Sequence, residues 1–116
     1  MMSTPLIDAQ TFAELQANAG DDFVAELVDT FAAEAPQMLA ELRASHTGGA
    51  ADAFRRAAHS LKSNSSTFGA TRLAELARTL ELGGLPPDAG PLDALADELA
   101  RSVEALRQRA RGGAGG

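Results

Sequence analysis

The sequence predicts an all-α protein, an antiparallel up-and-down four-helix bundle with a short additional helix at its N-terminus. Three observations carry that expectation. Ala and Leu dominate a chain with 4% aromatic residues and no Trp or Tyr, a mixture that favours helix over sheet. Apolar residues recur at spacings of three and four in successive segments. Short Gly- and Pro-containing stretches separate those segments, and short connections set neighbouring helices antiparallel. At 116 residues the chain holds one domain's worth of core, assigned to residues 1–111, with residues 112–116 as a flexible Gly-rich tail.

The first helix is expected from Asp8, as its cap, to about Asn18, with Phe12 and Leu15 as its apolar pair and Gly20 ending it. It is too short to stand alone and is assigned to one end of the bundle as a lid. A second helix opens at Asp21 or Asp22 and carries Phe23, Val24, Leu27, Val28, Phe31, Ala35, Met38, Leu39 and Leu42 on one stripe. Pro36 inside it predicts a kink or a break, and the unbroken stripe favours the kink. His46 to Gly49 reads as a turn. The third helix is expected from about Ala50 to Phe68, stopping at Gly69, and the fourth from Ala70 to Leu82, stopping at Gly83-Gly84. After the loop Leu85 to Gly90, Pro91 takes the first helical position, and Leu92, Leu95, Leu99, Val103 and Leu106 give the last helix its core stripe.

Composition excludes several function classes. Cysteine is absent, so there is no disulfide, thiolate zinc site or cysteine nucleophile, and two histidines alone argue against a metal site. The N-terminus has no basic segment leading into an apolar run, and no stretch is long enough to span a bilayer, which predicts a cytoplasmic protein with no membrane partner. The Met at position 1 and the single domain suggest a free-standing protein. A net charge of −6 and the lack of aromatic platforms argue against nucleic acid. Charge is nevertheless uneven. No acidic residue lies between Asp52 and Glu75, where Arg55, Arg56, Lys62 and Arg72 fall, and nothing before Arg43 is basic.

That positive segment contains His59. At about 100° per residue, Arg55, Arg56, Lys62, Ser63 and Ser66 fall within about 60° of His59, and Phe54, Ala57, Leu61, Ser65 and Phe68 fall opposite. His59 therefore occupies the solvent face, where it is either a functional imidazole or one surface residue among many. His46, in a turn without a motif, is taken as incidental.

The segment AAHSLKSNSSTFGA, Ala57 to Ala70, resembles the signature of histidine-containing phosphotransfer (HPt) domains. There the histidine is followed by a hydrophobic residue at the second position, lysine at the third, a small residue at the fourth and Gly-Ala at the tenth and eleventh. His59, Leu61, Lys62, Ser63, Gly69 and Ala70 match each of these. The resemblance extends to FAAEAPQMLAELRA before the motif and LAELARTLE after it, and so covers most of the chain. Ser63 departs from the Gly often found at its position. Serine is small enough to leave partner access, its hydroxyl can hydrogen-bond a phosphoryl oxygen, and the exchange is expected to alter partner preference.

The resemblance implies a phosphorelay carrier in two-component signalling. His59 would accept a phosphoryl group from the aspartyl phosphate of a response-regulator receiver domain and pass it to another receiver's aspartate. Imidazole, with an ordinary pKa near 6.5, offers a neutral nucleophilic nitrogen at cytosolic pH. Lys62, one turn on, would compensate phosphoryl charge. Arg55 and Arg56 would bind phosphoryl oxygens or a partner's acidic groups, or only keep the helix solvated; Ser63 and Ser66 share their face. If Gly69 is the turn of a hairpin, residues about ten to twelve positions to either side lie level, which puts Thr79 to Glu81 beside His59. Some HPt domains orient the imidazole with an acidic residue from this helix, so Glu81 is the candidate; a solvated carboxylate near a helix end is the alternative.

A monomer is expected because the core is complete within one chain, and with no glycine-rich nucleotide-binding segment no ATP-dependent kinase activity of its own is expected; the resemblance implies no cofactor in this chain. Its partners would be receiver domains, including those of a hybrid histidine kinase, with Mg2+ held in the receiver. Two other readings compete. The dimerisation domain of a sensor kinase also exposes a histidine, but its box places an acidic residue directly after it and a proline soon after, whereas here Ser60 follows and the next proline is Pro86. A non-catalytic receiver-docking module would keep the scaffold without the transfer.

Overall fold

The computed structural model describes residues 6–112. They form five helices, α1 (Ala9–Ala19), α2 (Asp21–Thr47), α3 (Ala51–Thr67), α4 (Thr71–Gly83) and α5 (Gly90–Gly112), with no strand among the described residues. The expected flexible tail, apart from Gly112 at the end of α5, lies outside the described residues, as do residues 1–5.

α1 starts where Asp8 caps it: the carboxylate accepts from the Thr11 backbone N–H at 3.0 Å and from the Thr11 hydroxyl. Gly20, at φ 94°, closes it with an N–H bond to the Gln16 carbonyl. α2 then runs unbroken through Pro36, so the break is excluded. Phe31 and Ala35 before the proline and Leu42 beyond it are buried in the same core, which offsets the missing backbone hydrogen bond. α2 also continues through His46 and Thr47, which the sequence assigns to a turn. The His46 ring explains the extension: its Nε2–H donates to the Pro86 carbonyl at 2.8 Å and the ring stands 6.2 Å from that of Phe54. His46 is thus a structural tie between α2, α3 and the loop after α4.

The α3–α4 turn is built on Gly69, at φ 79°. A Cβ there would lie 3.0 Å from both the Asp8 carbonyl oxygen and the Thr11 Cβ, and the Asp8 N–H donates to the Gly69 carbonyl at 2.7 Å. Glycine supplies both the left-handed backbone and the room for α1 to dock. At the start of α5, Asp88 accepts from the Gly90 N–H at 2.8 Å and Pro91 is the second helical residue rather than the first.

α2 packs on α3 and α5, α4 packs on the same two helices, and α1 lies on α2 and the α3–α4 turn, so the chain is a helical bundle. Phe31 meets Phe68 at 5.4 Å between ring centres, Arg43 of α2 pairs with Asp93 of α5 at 3.0 Å, and Arg72 of α4 approaches Glu98 of α5 at 3.8 Å. Phe12, Val24, Val28, Phe54, Leu61, Leu73, Leu92, Leu95 and Leu106 are fully buried. Phe23, expected on the α2 stripe, is 53% exposed, because the neighbouring Val24 fills the core position at that level; Leu27, Met38, Leu39 and Val103 are half-buried.

On α3 the fully buried residues are Phe54, Ala58, Leu61 and Ser65, and Ala57, expected in the core, is only half-buried. The buried arc is therefore turned by about 50° from the point opposite His59. That rotation brings His59, Lys62 and Arg55 to the α4 side of the exposed face and leaves Arg56 and Ser60 toward α2.

Candidate functional site

The α3–α4 hairpin sets Glu81 level with His59. The His59 Nδ1 lies 2.7 Å from Glu81 Oε2, and Lys62 Nζ lies 2.9 Å from Glu81 Oε1. The lysine contact is an ion pair off the axis of a good hydrogen bond, which leaves Oε1 buried without an aligned donor. Exposure grades across the three: the Glu81 side chain is 12% exposed, Lys62 28% and His59 56%. Lys62 first, and His59 next, hold the Glu81 carboxyl below the usual carboxylate range, with burial opposing them. An ionised carboxylate can only accept, so the bond to it fixes the proton on Nδ1 and leaves Nε2 with the free lone pair.

The other expected site residues are arranged differently. Arg55 and Arg56 are both held by Asp52, at 2.8 Å and 3.1 Å, one turn before His59, rather than gathered around the imidazole. Asp52 bonding foremost keeps the Arg55 guanidinium more firmly protonated, and Arg55 and Arg56 together hold the Asp52 carboxyl low. All three are exposed, and exposed pairs of this kind exchange readily for other partners. Asp52 was legible in the sequence as the acidic residue three and four positions before the arginines. Ser63 is exposed on the outer face of α3. Ser66 is exposed too and, with Lys62, Thr11, Gly69 and Arg78, lines a shallow groove of about 290 Å³ beside the site. Arg78, three residues before Glu81 on α4, was not singled out from the sequence; its helical spacing from Glu81 was the available signal.

Among the described residues no group of three or more His, Asp or Glu side chains could hold a metal ion, and no helix is long and apolar enough to cross a membrane. The arrangement is an exposed imidazole with a fixed tautomer, a carboxylate behind it and a cation one turn away.

The family model of the Hpt domain matches residues 26–109, and the chain belongs to that family of histidine phosphotransfer domains, which act in phosphorelays. Among solved structures, the crystal structure of histidine-containing phosphotransfer protein B (HptB) from Pseudomonas aeruginosa PAO1 is similar to it, with a TM-score of 0.73, 31% identity and 94% of each chain covered. No curated protein matches significantly.

Proposed function

We propose that this chain is a phosphorelay carrier in which His59 Nε2 attacks the phosphorus of a receiver-domain aspartyl phosphate and later yields the phosphoryl group to another receiver's aspartate. The observation that carries this is the contact of Glu81 with both His59 and Lys62 within an Hpt-family chain. Glu81 orients the ring so that the exposed Nε2 is the nucleophile, and Lys62, one turn on and still paired with Glu81, stabilises the phosphoryl charge by its nearby positive charge. Arg55 and Arg56, exchangeable on Asp52, contact the partner's acidic surface, and Ser63 and Ser66 line the face it approaches. Mg2+ belongs to the receiver's acidic pocket, receivers of a hybrid kinase are among the partners, and the carrier acts as a cytoplasmic monomer without kinase activity of its own. Its scaffold is an antiparallel up-and-down bundle of α2 to α5 with α1 across one end; the end-to-end pairings His46–Phe54, Phe31–Phe68 and Arg43–Asp93 support that arrangement.

The test mixes the purified protein with receiver domains phosphorylated on aspartate and follows acid-labile, base-stable phosphate onto this chain, with His59→Gln as control. Transfer to wild type and not to the variant is the expected result. Binding without transfer would instead establish a docking module, and a dimer on gel filtration would favour the kinase-domain reading.

A further inference from the structure

Glu81 contacts both the His59 ring and the Lys62 ammonium, and the consequence appears after the phosphoryl group has arrived. When neutral His59 attacks, the Nε2–P bond forms, the aspartyl P–O bond breaks and its electron pair leaves on the partner carboxylate. The ring then carries phosphoryl on Nε2 and a proton on Nδ1, so it is a cation. If Nδ1 gives up that proton, the return step must expel an imidazole anion, a poor leaving group. If Nδ1 keeps it, the Nε2–P bond breaks with its pair returning to Nε2 and neutral imidazole departs.

The geometry decides between these states. Glu81 Oε2 sits 2.7 Å from Nδ1, the carboxylate is 12% exposed, and Lys62 at 2.9 Å stabilises it as an anion rather than a proton acceptor. The charged groups around Glu81 are His59, Lys62 and Arg55 from α3 and, on α4 itself, Arg78 beside the groove that Lys62 lines. From the other side of α4, the ion pairs of α5 go to Arg43 and Arg72. A cationic ring against an anion whose own protonation is opposed by Lys62 is the favoured state.

We propose that Glu81, kept anionic by Lys62, holds the Nδ1 proton on the phosphorylated ring, so that phosphoryl transfer onto and off His59 requires no net proton movement and Glu81 sets the lifetime of the phosphohistidine. Glu81 is in this sense a positioning residue, and the proposal rests on His59 being the phosphoryl acceptor.

The test phosphorylates the purified protein with phosphoramidate, a small-molecule donor that needs no receiver, and follows the phosphohistidine by phosphorus NMR across pH. Wild type is compared with Glu81→Gln, whose amide carbonyl still accepts from Nδ1–H but carries no charge, and with free phosphohistidine in the same buffer. The pH at which the wild-type signal moves should lie about one pH unit or more above that of the variant and of the free amino acid. Above its midpoint the variant's phosphohistidine should persist about tenfold longer. Coincident titrations of wild type and variant would overturn the proposal, and should the variant fail to fold, coincidence of wild type with the free amino acid would do so. If no phosphate reaches His59, checked with His59→Gln, the carrier reading itself fails and the proposal with it.

Discussion

Gly69→Ala places one methyl group at the point where α1 meets the α3–α4 turn, and the cost can be worked from the structure. At φ 79° a non-glycine residue is in the left-handed region, which costs about 1–2 kcal/mol. The new Cβ lies 3.0 Å from the Asp8 carbonyl oxygen. That oxygen is backbone, so relief requires α1 to move as a body and loosens the 2.7 Å bond from the Asp8 N–H to the Gly69 carbonyl, with a net contribution of about 1 kcal/mol. Fully buried Phe12 moves with it. The expected loss is about 2–4 kcal/mol, with Tm lower by about 10–20 °C for a domain of this size. Gly49 is the internal control: φ is 67° there, but a Cβ would meet nothing within 4 Å, so Gly49→Ala carries the backbone cost alone. Urea unfolding followed by circular dichroism, with slopes compared to confirm a common unfolded state, measures both. An excess of about 1 kcal/mol or more for Gly69→Ala is the steric contribution of α1 docking. Equal losses at the two positions would refute the claim that Gly69 seats α1.

The other predictions concern core, buried polar groups and pH. Leu61→Ala, one residue pair beyond His59 and fully buried, should destabilise by about 3 kcal/mol in the same unfolding assay, and a loss below about 1 kcal/mol would contradict its core placement. Ser102 is fully buried and its hydroxyl has no partner, so Ser102→Ala should be stabilising by about 1 kcal/mol; a loss would mean that an ordered water serves the hydroxyl. Because Lys62 and His59 depress the Glu81 carboxyl relative to the unfolded chain, its contribution to stability is full above the ordinary carboxylate range and is lost as pH falls through the depressed value. The stability gap between wild type and Glu81→Gln should accordingly narrow on acidification below that range, and a gap that widens there would reverse the assigned sign.

The helices, the exposed histidine and its candidate partners were legible along the chain because each depends on local periodicity or a short spacing. His59 and Lys62 share a face by helical repeat alone, and a Gly69 hairpin made the level stretch Thr79 to Glu81 countable from the turn, within which the resemblance to HPt domains selected Glu81. Other features depend on which neighbour is packed where. The turn expected at His46 became helix because the Pro86 carbonyl and Phe54 hold the ring, and neither is local to it. Phe23 lies exposed although it was expected on the stripe, since Val24 beside it takes the core position and the two side chains point about 100° apart around α2.

What the sequence determined by itself is therefore an all-helical chain that presents His59 on a solvated, positively charged face. The tertiary structure decided the state of that histidine. A turn of α3 by about 50° relative to its core, set by its packing on α2 and α4, brings Nδ1 to Glu81 and Lys62 to the same carboxylate, while Asp52 holds the two arginines apart from it. Those distances follow from helix packing, and packing is fixed by contacts between residues remote in sequence.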